Sequence, residues 1–184
     1  MTSFPTEFTR ALAVDIAGYG LGFALLEGPL ALIDWEFFNA RDDRDARCVT
    51  YLVSMLTKFM PDVLVIEDFR DNKRRSDRVR NLADVFADAA KEHGIACRRI
   101  SRKAVKSRFP SCRNKYDIAA ALAERFPDIK HVCPPKRKSW KTEDSRINIF
   151  DALSLGFTYL ASAKKDGQGR KNSAADKKAT EQSR

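Results

Sequence analysis

The sequence has little of what would carry a chain into a membrane or hold a soft metal. Its longest apolar stretches, such as Val63 to Ile66 and Ala152 to Leu155, fall far short of the roughly eighteen residues that a bilayer crossing needs. The segment Met1 to Arg10 lacks the basic-then-apolar pattern of a secretory leader. A soluble, cytoplasmic chain with no membrane partner is expected. Cysteine is scarce: Cys48, Cys97, Cys112 and Cys133 are widely separated and form no C-x-x-C pair, so they read as reduced structural residues. His93 and His131 are the only histidines, too few to build a structural zinc site with those cysteines.

What is present is a core and an excess of positive charge. Hydrophobic residues make up 43% of 184, enough for one domain of ordinary size. Lys and Arg number 34 against 25 Asp and Glu, a net charge of +9, which favours polyanionic partners through counterion release.

Glycines and prolines divide the chain. Leu12 to Asp15, the turn Ile16 to Gly20, Leu21 to Leu26, the turn at Gly28-Pro29 and Ala31 to Phe37 predict an antiparallel meander of three strands. From Asp45 to Phe59, Val49, Leu52, Val53, Leu56 and Phe59 recur at helical spacing until Pro61. Val63 to Ile66 is short, uniformly apolar and ends at Glu67, as expected of a strand buried on both faces. A helix over Asp77 to Glu92, carrying Val79, Leu82, Val85, Phe86 and Ala89, closes at His93-Gly94, where a left-handed residue is wanted. A strand follows over Ile95 to Ile100, then helices over about Arg102 to Phe109 and Tyr116 to Phe126, a coil with Pro127 and Pro134-Pro135, and a last helix from Asp144 or Ser145 to Ala161. The order predicts an α/β fold whose mixed five-stranded sheet joins the meander to two parallel strands, with helices on both faces. Residues 1–162 are expected to form the domain, and 163–184, without apolar periodicity, a disordered basic tail.

Three acids stand out against this background. An ionised Asp15 inside the first strand is costly unless a cation or donor compensates it; turn N–H groups are the plainer compensation. Glu67 ends an apolar strand at the carboxyl edge of the sheet, where ligands bind in open α/β sheets. Asp151 lies in the last helix among Ile149, Phe150, Ala152, Leu153 and Leu155, facing either a site on the sheet or solvent. Carboxylates converging from two strands and a helix suit an oxygen-loving divalent ion such as Mg2+, with Mn2+ as a substitute, rather than zinc. Two such ions about 3.5–4 Å apart hold a water nucleophile and the leaving 3′ oxygen of a phosphodiester.

Leu12-Ala13-Val14-Asp15 with Gly18 to Ala24, Val63 to Glu67, and Phe150 to Leu155 together resemble, in order and spacing, the motifs of the RuvC-like Holliday junction resolvases of the ribonuclease H-like superfamily. The resemblance spans about Leu12 to Leu160. It implies the superfamily's three-layer fold and a magnesium-dependent endonuclease of branched DNA, active in recombination and repair at the nucleoid. Asp15, Glu67 and Asp151 would be its catalytic metal ligands, four-way junctions its partner, and the working form a homodimer. Ser101 to Lys106 and Arg113 to Ile118 are similar to the family's basic region, which implies that Lys106 and Lys115 meet phosphates, with Lys103 and Arg113 beside them. One departure is plain: the family's fourth acid, one turn before the last aspartate, is here Asn148, an amide that can ligate but brings no charge. Asp144, two turns before Asp151, is a substitute or else the N-cap of the last helix; Glu143 is a weaker one.

Further cations border these motifs. Arg70 to Arg80 includes Lys73, Arg74, Arg75 and Arg78 directly after Glu67, and Pro134 to Lys141 combines Lys136, Arg137 and Lys138 with Trp140. Cations with an aromatic pair phosphate contacts with base stacking, although Trp140 equally suits packing beneath the last helix. Alternatives within the fold are a nuclease acting on RNA, or a nucleic-acid-binding protein without catalysis. The sugar-kinase and actin-like ATPases share the first strand motif but need a much longer chain and glycine-rich phosphate loops; 184 residues with eight glycines do not suit them.

Overall fold

In the computed structural model, which describes residues 9–70, 75–138, 140 and 142–162, β1 (Arg10–Ile16), β2 (Gly20–Glu27) and β3 (Ala31–Asn39) form the antiparallel meander. Helix α1 (Arg44–Phe59) then crosses to β4 (Val63–Glu67), and α2 (Asp77–Glu92) to β5 (Ala96–Ile100). Both crossovers return parallel strands, β4 beside β1 and β5 beside β4, so the five-stranded sheet runs β3-β2-β1-β4-β5. After it come α3 (Arg102–Arg108), α4 (Lys115–Arg125), a 3-10 turn (Pro127–Val132) where coil was expected, and α5, described over 147–162. No helix among the described residues is long and apolar enough to cross a membrane.

The sheet separates two cores, and strand alternation assigns each side chain to one of them. Leu12, Val14, Ile16, Leu64 and Ile66 pack against α1 and α2 through Leu52, Leu56, Leu82 and Phe86. Ala11, Ala13, Ala24, Val63 and Val65 face the other way, against α3, α4 and α5 through Val105, Leu122, Phe150 and Leu153. The period of two therefore turns Asp15 and Glu67, which continue the Ala11-Ala13 and Val63-Val65 series, toward α5.

Helix ends follow local chemistry. Ser101 caps α3 by accepting from Ala104 N–H, and Asn114 caps α4 by accepting from Tyr116 and Asp117 N–H. Gly94 stops α2 with φ 71°, as its position after His93 predicted. Two expectations fail. Val85, counted in the apolar stripe of α2, is 44% exposed; the helix buries Ala83 and Ala90 beside the expected Val79, Leu82, Phe86 and Ala89. The last helix begins at 147 rather than at 144 or 145, because Ile147, Asn148 and Ile149 donate three residues back, to Asp144, Ser145 and Arg146, in a tightened first turn.

The side of the sheet that meets α5 is lined by small residues, and Gly22 marks the closest approach. It pairs with Asp15 across β1 and β2, and a Cβ there would lie 2.4 Å from the carbonyl carbon and oxygen of Asn148. That backbone cannot give way without moving the turn that carries Asp151. Gly22→Ala is expected to destabilise the fold by about 1–3 kcal/mol, read as a lower urea midpoint at unchanged slope.

Candidate active site

Three elements bring the acids together at the carboxyl edge of the sheet. β1 supplies Asp15 near its end and β4 supplies Glu67 as its last residue; their neighbours Val14 and Ile66 are paired across the parallel ladder. α5 lies over them and supplies Asp151 from its second turn. Asp15 and Glu67 are each 1% exposed and Asp151 is 7% exposed. Ser154 and Thr158, buried on the same helix, return their hydroxyls to the carbonyls of Asp151 and Ser154, so the polar groups of α5 do not compete for the carboxylates.

The compensating cation is Arg102, the first residue of α3, which is not among the residues expected at the site. Its Nη1 donates to Asp151 Oδ1 at 2.9 Å and its Nη2 to Asp15 Oδ1 at 3.2 Å, while Nε lies 3.1 Å from Glu67 Oε2. One guanidinium thus reaches all three acids through three different nitrogens. Arg75 stands further out, with Nη2 3.4 Å from Glu67 Oε2 and 3.8 Å from Asp15 Oδ1, and its guanidinium 5.6 Å from the centre of the Phe69 ring.

Among the described residues, three carboxylates stand against two guanidiniums, and the imbalance shows at Asp15. Burial, followed by the charge of Asp151, pushes the Asp15 carboxyl up from 3.8 to about 7 despite Arg102 and Arg75. Burial opposes the charge of Arg102 too, but Asp151, Asp15 and Glu67 outweigh it and hold its pKa above the ordinary value.

These donors suit a hard divalent ion in kind: all are carboxylate oxygens, and Asp15 Oδ2 is buried and accepts no hydrogen bond among the described residues. Their spacing is that of a guanidinium. Among the described residues, no three acidic, histidine or cysteine side chains lie close enough to hold an ion as they stand.

Beside the acids opens a cavity of about 500 Å³, lined by Arg75, Arg102, Lys106, Arg113, Lys115 and Asp151 among others. The expected phosphate-binding residues Lys106, Arg113 and Lys115 are therefore brought to the centre, with Lys115 also paired to Glu143 at 2.5 Å. Lys103 is exposed on α3 outside that lining. Arg78 is drawn away, with Nη2 2.5 Å from Asp45 Oδ1 at the start of α1, and Lys73 and Arg74 lie outside the described residues. Lys136, Arg137 and Lys138 line a second cavity of about 360 Å³. Trp140 is 77% exposed, with Lys138 Nζ 5.6 Å from its ring centre, so it does not pack beneath the last helix.

Neither Asn148, at the position of the fourth acid, nor its substitutes Asp144 and Glu143 joins the cluster as a carboxylate ligand, and Glu143 is paired with Lys115. Asp144 lies outside the cluster: it precedes α5, lines the second cavity, and binds Arg146 at 2.6 Å, whose hydrogen bond holds its carboxyl below the ordinary range. Its carboxylate accepts from Arg146 N–H at 3.0 Å, closer to its expected capping role than to a metal ligand's. Asn148 sits one turn before Asp151, half-buried, and its amide donates to the Ser145 carbonyl at 2.9 Å.

The raised Asp15 carboxyl has a consequence for the metal-free protein. Because its folded pKa lies above its unfolded one, the fold binds the proton more tightly, and stability from this group falls as pH rises from about 4 to about 7. Asp15→Asn removes that loss. In EDTA the variant is expected to unfold at a higher temperature than the wild type at pH 8, with the difference shrinking toward pH 4.

No protein-family model and no curated protein matches the sequence. The fold does match solved structures. A structure of Thermus thermophilus RuvC in complex with a Holliday junction substrate superposes with a TM-score of 0.63 at 17% identity, over 86% of this chain and 96% of that one. A second T. thermophilus RuvC structure gives 0.63 at 17%, over 85% and 96%. Over most of its length, the chain has the RuvC form of the ribonuclease H-like fold.

Proposed function

We propose that the protein is a metal-dependent endonuclease that hydrolyses phosphodiester bonds in branched DNA, with four-way junctions as its substrate. The observation that carries this reading is the convergence of Asp15, Glu67 and Asp151, nearly fully buried, at the edge of a strongly basic cavity. The likeness to a resolvase fold seen with a Holliday junction supports the choice of substrate.

In this reading the three carboxylates hold Mg2+ or Mn2+, which when bound supplies a Lewis acid and an activated water. Lys106, Arg113 and Lys115 hold the phosphate against the acids, and their charges favour the pentacovalent, more highly charged transition state over the diester. Water adds to phosphorus and the bond to the 3′ oxygen breaks, leaving a 5′-phosphate and a 3′-hydroxyl. Opposed nicks across a junction require two such centres, so the reading includes a homodimer.

A second reading is favoured by Arg102 itself. A site whose acids are satisfied by an internal guanidinium, with Asn148 where a further acid would stand, suits a protein that binds branched nucleic acid without cutting it.

Cleavage of labelled four-way junction, duplex and RNA–DNA hybrid with Mg2+ or Mn2+ separates the readings. Lewis-acid stabilisation of several kcal/mol at about 1.4 kcal/mol per tenfold sets the scale. Asp15→Asn and Asp151→Asn should each slow symmetric junction nicking roughly a hundredfold or more. Cutting of the hybrid alone would move the substrate to RNA; tight junction binding with no cleavage under either metal would establish the second reading.

A further inference from the structure

The acidic centre already contains a cation, and it belongs to the chain. Arg102 places three nitrogens 2.9–3.2 Å from one oxygen of each acid. A Mg2+ bound by the same oxygens would stand about 2.0–2.1 Å from each, in the space that the guanidinium now fills. Ion and guanidinium are therefore alternatives for one position.

The surroundings allow the exchange. The backbone of Arg102 is fixed by the Ser101 cap, with Ala104 N–H donating to Ser101 Oγ at 3.1 Å, but its long side chain is 31% exposed and forms part of the wall of the 500 Å³ cavity. It has room to turn outward without disturbing α3. The acids, in contrast, are anchored on two central strands and on a helix seated against Gly22, and cannot follow it. Arg75 does not duplicate the role, because it meets Glu67 and Asp15 at longer range and does not reach Asp151.

We propose that Arg102 is a resident counter-cation that holds the three acids together in the metal-free protein and must leave before a divalent ion enters. The inference rests on the metal-binding reading of the site, and assigns to Arg102 a positioning role: it sets the metal affinity and keeps the empty centre folded.

Mn2+ binding by calorimetry and thermal unfolding with EDTA or Mn2+ test this on the full chain, without recourse to cleavage. Arg102→Ala should bind Mn2+ roughly tenfold or more tightly than the wild type, and the stabilisation that Mn2+ brings should grow in step. In EDTA at pH 8 the variant should unfold at a lower temperature, since the three buried carboxylates lose the one guanidinium seen to meet all of them. Arg102→Gln, which retains part of the side chain's packing and donates hydrogen bonds without charge, should show the same direction of change and serves if the alanine variant does not fold. Arg75→Ala should raise Mn2+ affinity less than either. Equal or weaker Mn2+ binding by both Arg102 variants, with the wild type binding well, overturns the proposal and leaves the metal reading standing. No Mn2+ binding by wild type or variants overturns both and makes Arg102 the permanent occupant of the centre.

Discussion

The burial of three like charges at one edge of a sheet is the constraint on which the rest of this structure turns. Asp15 and Glu67 end the two central strands and Asp151 faces them from α5, all withdrawn from water. Uncompensated, such a cluster would cost more than a marginally stable domain can supply. The fold answers with cations delivered from outside the sheet: Arg102 from the start of α3 and Arg75 from the segment before α2. α3, and the segment that leads into α2, thus owe part of their placement to charge as well as to the apolar contacts of Val105 on α3 and of Leu82 and Phe86 on α2.

Steric fit and electrostatics are coupled in the same place. Ala11, Ala13 and Ala24 keep the α5 side of the sheet low, and Gly22, opposite Asp15, admits the backbone of Asn148. A larger residue at Gly22 would lift the helix start and widen the gap between Asp151 and the strand acids. Close helix–sheet packing therefore sets how much repulsion the cations must offset, and the proton affinity of Asp15 records the balance.

Much of this was legible in the sequence, because strands and their ends are written locally. Glycine turns, the β-branched run before Glu67 and the apolar periodicity of α1 and α2 gave the meander, the two parallel strands and the edge where the acids meet. What the sequence concealed depends on reach and on tertiary competition. Arg102 was visible as the start of a helix and as one cation of the basic stretch Ser101 to Lys106; its role among the acids comes from a long side chain thrown back across the ends of β1 and β4, and the available signal was its place two residues after β5, at the same sheet edge as Glu67. Arg78, one of a dense run of cations, is claimed by Asp45, a pairing across two helices that charge density alone cannot reveal. Asp144 had the right spacing for the face of Asp151 only if the helix began early, and the Asp144–Arg146 turn removes that premise.

Asn148 and Arg102 are best understood together. By resemblance, an acid belongs one turn before the last aspartate; placed here, it would add a further negative charge to the centre, with Asp15 already taking up a proton near neutrality. An amide at 148 and a guanidinium at 102 both move the balance the same way, toward a centre that is stable when no metal is bound. The same shift weakens the field that draws a divalent ion inward, because attraction scales with the charge that remains uncompensated. Among the described residues, three acids, two guanidiniums and an amide therefore make a centre whose charge is largely satisfied within the chain, and the basic cavity beside it lies on the side of Arg102 that is open to solvent.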